Sequence, residues 1–381
     1  MVIRISVFLL MLFSVFIQNS FAQTGTHSCN PYSRILEYID QEGRVRPVEN
    51  LCEWYIKRGQ ILDSLEAFTG PLPEISTLPP FNPDLPDFPP FNTQIFDSLK
   101  TESYTRYNIK FTVAENEDVT AYLYVPSEKG YNGKFPAMLA LQPTGMQGKM
   151  IVDGQGKPNR GYAKELAERG YVVIAPDYPG YGDQSGYDFK SDRYESGIMK
   201  AVFNHIRCVD FLQARKDVNP ERIGVIGHSL GGHSAIFVAV FDTRIKVIVS
   251  SCGWTLFRYY NNYNEKLRIE SGSRLTGWAQ ERYSPLALTK YKLELNRMPF
   301  DFDELIAALS PRPFFSNSPV HDANFNVEGV RIGIANAMEV YRLFDAEENL
   351  QVRYPYADHD FPPEVRFESY DFIDKILKSD H

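Results

Sequence analysis

From Lys134 onward the sequence keeps one rhythm: a short apolar run, a turn, then a stretch of helical spacing. "KFPAMLALQPTG" reads as a buried strand ending in a turn, "GYAKELAERG" as a helix, and "YVVIAPDYPGYG" as a strand leaving into a glycine-rich loop. "GIMKAVFNHIRCVDFLQAR" is a long helix, "RIGVIGHS" a strand, "GGHSAIFVAV" a helix and "IKVIVSSCG" a strand. After an irregular stretch come "RPFFSNSP", "VRIGIANAMEVYRLF", "LQVRYPY" and "EVRFESYDFIDKILK", read as strand, helix, strand and closing helix. Strands alternating with helices predict a mostly parallel sheet covered on both faces. Ahead of them, "YTRYNIKFTV" and "VTAYLYVP" alternate like paired antiparallel strands. Ligands of such sheets bind outside the carboxyl ends of the strands, so the loops there are the ones to search for chemistry.

The 381 residues suffice for one large domain and a smaller extension. Residues 1–22 have the form of a secretory signal: Arg4 is the positive start, Val7 to Ile17 the apolar stretch, and "SFA" ends at Ala22. That stretch is well short of the ~20 residues a membrane span needs. A secreted or periplasmic location follows, without stable membrane insertion after cleavage. Residues 23–70 read as a helical region, from "SRILEYIDQ" and "WYIKRGQILDSLEAF". Residues 71–103 read as a proline-rich strap, because dense proline removes backbone donors and fixes φ. Residues 104–381 form the main domain, interrupted by a long aromatic-rich insertion at 254–310. In an exported chain Cys29 and Cys52 suit a disulfide, while Cys208 and Cys252 read as buried thiols. No Cys/His spacing suggests a metal site, and no cofactor motif is present. A net charge of −8 with no long basic run argues against nucleic-acid partners.

"Gly227-His228-Ser229-Leu230-Gly231" fits G-x-S-x-G between a strand and a helix. In that setting the tight turn pushes the serine hydroxyl out above the sheet, and the glycines stand where side chains would clash. A serine needs a base. Of seven histidines, His27 is in the N-terminal region, His381 ends the sequence and His205 lies inside the long helix. His228 and His233 are too close along the chain to turn back onto Ser229. His321 reads as loop structure beside the best acid, leaving His359 in "YADHDFPP", directly after the last strand. Asp322, after "RPFF" and before the next helix, is the acid expected to orient it. For the oxyanion, the backbone N–H of Leu230 is one expected donor; the second is expected from the loop "LQPTGMQGK", at Thr144 or else Gln142.

These residues resemble the α/β-hydrolase superfamily, specifically its dienelactone-hydrolase and acetyl-xylan-esterase-like branch. The resemblance covers roughly residues 104–377 and rests on the elbow, the oxyanion-loop position, "PRPFFSNSP…D" and "ADHDFP". It implies an α/β-hydrolase fold: a mostly parallel central sheet with helices on both faces, an inserted cap and an N-terminal extension. The departures matter. Dienelactone hydrolases proper use cysteine where this chain has Ser229. Glucuronoyl esterases place arginine, and one group of acetyl-xylan esterases glutamine, where this chain has Leu230. Many relatives begin the oxyanion loop with His-Gly; here it is Gln142-Pro143. The cap is rich in aromatic residues. It reads either as a small core of its own or as a roof over the substrate, with Trp254 as a wall and Tyr178 and Tyr181 of "DYPGYGDQSG" opposite. The expectation is an exported serine carboxylesterase acting on a small-molecule or carbohydrate ester. A serine peptidase on the same fold is the alternative, and a non-catalytic binding protein the third reading.

Overall fold

The computed structural model describes residues 35–74, 91–128, 133–261 and 265–379. The signal segment 1–22, Cys29, residues 75–90 of the proline strap and Tyr263 lie outside them. The described chain opens with a hairpin, β1 (Glu37–Ile39) and β2 (Val45–Pro47), where helix was expected. Turn chemistry decides this: Asp40 accepts the backbone N–H groups of Glu42 and Arg44, and Gly43 takes a positive φ of 78°. Helix α1 (Leu51–Thr69) follows, capped by Asn50, whose side chain accepts from the N–H of Glu53. The strap reading also extends too far. Once the prolines stop, Gln94–Lys100 form β3, an edge strand antiparallel to β4 (Tyr104–Ala114).

The main sheet has nine strands. After β5 (Glu117–Pro126) come β6 (Phe135–Leu141), β7 (Val172–Pro176), β8 (Val218–His228), β9 (Ile245–Ser251), β10 (Phe314–Asn317) and β11 (Leu350–Arg353). Their spatial order is β11-β10-β9-β8-β6-β7-β5-β4-β3. The pairs from β11 to β7 are parallel and those from β7 to β3 antiparallel. The middles of the central strands are mostly apolar because both faces are buried there. Leu139, Val225 and Ile248 face one core, while Met138, Ile226 and Val249 face the other. Full burial of each such side chain contributes about 1.5–3 kcal/mol.

Helices α2 (Tyr162–Glu168) and α9 (Pro363–Leu377) cover the second face. The first face carries α3 (Gly197–Ala214), α4 (Leu230–Phe241), α7 (Phe302–Ala308) and α8 (Val327–Leu343), with α1 packed beside them. The insertion holds the short helices α5 (Glu265–Ser271) and α6 (Leu286–Thr289) as well as α7. Its rings are mostly buried and continuous with the main core. Phe257, Trp278 and Phe300 pack against Phe68 of α1, with centroids 6.3, 6.5 and 5.5 Å away. Among the described residues no helix is long and apolar enough to cross a membrane.

The register brings the strand ends together. Gly227 pairs with Leu141, His228 with Ser251, Ser251 with Asn317, and Asn317 with Arg353. The loops beginning at 229, 252, 318 and 354 therefore leave one rung, and the loop at 142 leaves one residue earlier.

Candidate active site

Ser229 follows β8 and takes φ 56°, ψ −115°, a strained conformation for a residue with a side chain. The surroundings impose it. A Cβ on Gly227 would lie 2.1 Å from the carbonyl oxygen of Gly231, and one on Gly231 would lie 2.0 Å from that of Leu141. The Ser229 N–H donates to the Ser251 carbonyl at 2.8 Å, tying the turn to the neighbouring strand. Ser229 occupies the N-cap position of α4, yet its hydroxyl makes no capping bond. The first N–H groups of α4, that of Leu230 among them, have no carbonyl a turn earlier in the helix. Their partial positive charge favours negative charge at that end of the helix.

Asp322 and His359 meet: Nδ1 of the ring lies 2.9 Å from Asp322 Oδ2. The carboxylate is buried, and its other oxygen accepts the backbone N–H groups of Asn324 and Phe325, at 2.8 and 3.1 Å. One face of the imidazole stacks on Phe325, 5.9 Å between centroids. The ring also lies 4.9 Å from that of His228, the residue before the nucleophile, so the base stands beside the elbow. His228 is structural, as expected. Burial, aided by the nearby Arg160, holds it well below the ordinary histidine range, and its Nδ1 is 2.8 Å from Ser251 Oγ. Burial likewise takes His205 and His233 down to about 3. His321 packs edge-on against Tyr356 at 4.3 Å, as loop structure.

The loop carrying His359 is fastened by side chains from three other loops and strands. The Asp360 carbonyl accepts from Asn317 Nδ2 at 2.8 Å and from the Cys252 thiol at 3.2 Å. Arg160, itself buried, donates to the His359 carbonyl at 3.0 Å and pairs with the Asp360 carboxylate, which also accepts from Asn159 at 2.7 Å. Burial opposes ionisation of Asp360, but these bonds outweigh it and hold its carboxyl below the usual range. None of Arg160, Asn159 or Asn317 stood out in the sequence, since each bonds a residue 43 to 201 positions away. Cys252 is a buried thiol, as expected. Its location was not legible: Cys252, Asp322 and His359 each bring a donor atom within 4.8 Å of the others. Burial, and then the Asp322 charge, push the thiol well above its normal range, so it stays protonated. The ring nitrogen and carboxylate of that group are already bonded to each other.

The remaining expected residues divide. Gln142 is buried just after β6, with its carbonyl oxygen 2.9 Å from a Cβ placed on Gly231; among the described residues no group bonds its side-chain amide. Thr144 is exposed, and its hydroxyl approaches that of Tyr283 to 3.5 Å. Leu230 is buried in an apolar nest with Tyr178, Tyr181 and Ala201, against which Tyr283 packs. The two tyrosines thus flank the residue after the nucleophile. Trp254 does not form a wall and corrects the sequence expectation. It is 1% exposed, its indole N–H donates to Ser316 Oγ at 3.0 Å, and its ring fills the space beside Gly333 of α8. Lys149 and Asp177, unnoticed in the sequence, form a buried ion pair at 2.6 Å that joins the loop after β6 to the one after β7.

The family model for fungal glucuronyl esterase matches residues 181–345. The YtaP protein of Bacillus subtilis (strain 168) is 27% identical over 305 residues, covering 77% of this chain and 95% of that protein. Carbohydrate esterase MZ0003, from an unknown prokaryotic organism, is 27% identical over 182 residues, 45% of this chain and 40% of that one. Among solved structures, a glucuronoyl esterase from Solibacter usitatus superposes with a TM-score of 0.64 at 20% identity, covering 89% of this chain and 96% of that one. The superposition establishes the fold anticipated from the sequence.

Proposed function

We propose that this chain, a member of the α/β-hydrolase superfamily, is an exported serine carboxylesterase of carbohydrate esters. The observation that carries the reading is the approach of Asp322 Oδ2 to His359 Nδ1, 2.9 Å, beside an elbow that holds Ser229 at φ 56°. Asp322 fixes the imidazole with Nδ1 protonated and stabilises the imidazolium. Nε2 then takes the Ser229 proton as the hydroxyl attacks the ester carbonyl. The oxyanion is received by the Leu230 N–H and a second donor from the loop at 142–144. His359 returns the proton to the departing alcohol, and water, activated by the same ring, releases the acid from the acyl-serine. The likeness to carbohydrate esterase MZ0003 and to the glucuronyl esterase model supports a sugar ester as substrate class. Leu230, in place of the arginine named above, leaves that position apolar. The signal-like residues 1–22 support export.

The test is Ser229→Ala, assayed on p-nitrophenyl acetate and on acetylated sugars. Turnover falls by at least about 10⁴-fold on both while the fold, read by circular dichroism, is kept. Undiminished turnover in the variant ends the reading.

A further inference from the structure

We propose that Arg282, in the insertion, is an anion-binding residue for an oxyanion carried by the substrate sugar, a carboxylate or a sulfate. The proposal rests on the esterase reading and adds to it a charge requirement. This chain is acidic, with 48 Asp and Glu against 40 Lys and Arg, and its buried arginines find partners. Arg160, Arg207, Arg215 and Arg366 each have a carboxylate within 4 Å. Arg282 is half-buried, and no carboxylate of the described residues pairs with it; Arg58, Arg222 and Arg312 share that lack but donate to backbone carbonyls, whereas the partner of Arg282 is a hydroxyl. Its guanidinium donates to the Tyr181 hydroxyl and lies 5.0 Å from the centre of that ring.

The backbone behind it is fixed. Three successive carbonyls are held: Glu281 by the Gly197 N–H at 3.0 Å, Arg282 by the Tyr178 hydroxyl at 2.6 Å, and Tyr283 by the Ile198 N–H at 3.0 Å. A cation presented from such a frame loses little freedom when it binds. Its position relative to the chemistry follows from shared neighbours. Tyr181 packs on Leu230, the residue after the nucleophile, and Tyr283 reaches Thr144 of the expected oxyanion loop.

The donor set suits an oxyanion. Tyr181 accepts from the arginine, so its own proton is not spent on that bond. Burial raises the Tyr283 hydroxyl to about 12, which keeps it a donor as well. A guanidinium with unused N–H groups binds a carboxylate or sulfate through two parallel bonds. Such a subsite would recognise an acidic sugar beside the ester rather than the ester itself.

The experiment compares three acetylated methyl glycosides: glucuronic acid with its carboxylate free, glucose, and glucose sulfated at its primary hydroxyl. The wild-type enzyme should favour at least one anionic probe over the neutral one by roughly tenfold or more in kcat/KM, expressed in KM. The preferred anion identifies the natural source. In Arg282→Gln that preference should vanish, in Arg282→Lys it should persist in part, and added salt should erode it. Equal rates on all three probes by the wild type overturn the subsite alone. A wild-type preference that survives in Arg282→Gln overturns it too. Turnover of p-nitrophenyl acetate without hydrolysis of any sugar probe refutes the carbohydrate reading, and the subsite with it.

Discussion

The elbow at 227–231 and the loop at 355–362 bring the expected nucleophile and base to one place by opposite means. The elbow is set by residues close together in sequence. Two glycines, a strand end and a helix start leave Ser229 a single course, and the turn is tied to the adjoining strands at Leu141 and Ser251. The loop with His359 has no such local code. Residues 159, 160, 252 and 317 hold its backbone and its Asp360 side chain from elsewhere in the chain. A strained turn can be encoded in five residues, whereas a relaxed loop is positioned only by what surrounds it.

That contrast can be put under strain, beginning where the effect is largest. Asp322→Asn keeps the shape of the acid but presents the wrong hydrogen-bonding group to Nδ1. It should lower kcat by about 10⁴-fold, with KM nearly unchanged, in steady-state assays on p-nitrophenyl acetate. A loss under tenfold would mean that the loop alone orients the ring. Arg160→Met removes the clamp from the Asp360 carboxylate and the His359 carbonyl without touching the elbow. A misplaced base of this kind costs up to about 100-fold in kcat. Labelling of Ser229 by a fluorophosphonate should slow in parallel. An unchanged rate would show that Asn317 and Cys252 suffice.

Acid should separate the two regions most gently. His228 and His233, either side of the nucleophile, and His205 in α3 are neutral in the fold, with native pKa values depressed below 6.5. Unfolded chains take up those protons first. Stability is therefore fully present above about pH 6.5 and declines as pH falls below it, toward about 3 for His205 and His233. The Arg160–Asp360 pair moves the same way but later, because the carboxyl must be protonated below its usual range. Urea unfolding at pH 7 and pH 5 should show a lower midpoint at pH 5, and His205→Leu should flatten the dependence. An equal midpoint at both values would contradict neutral, buried rings.

The same contrast explains what could be read in advance. The strand and helix alternation from Lys134 onward, and Ser229 with it, were legible because periodicity and the elbow motif are local. His359 was reached only by eliminating other histidines, and Asp322 by its place after a strand. Arg160, Asn317 and Arg282 carried no local signal. The helical reading of residues 23–70 failed over 37–47 because the turn at Asp40–Gly43 outweighed an apolar spacing that fits either structure. Trp254 failed because composition does not say which side of a ring meets solvent; the bare backbone of Gly333 opposite it does.

Phe68, the penultimate residue of α1, sits among the rings of the insertion, 5.5 Å from Phe300 and 6.1 Å from Tyr291. The N-terminal extension is thus a keystone for the region that carries Arg282. A version begun at Tyr104, the boundary that the sequence suggests for the main domain, would keep every residue assigned to the chemistry. It would also bare a wall of aromatic surface to water, and such a fragment should be recovered as aggregate rather than as a smaller enzyme.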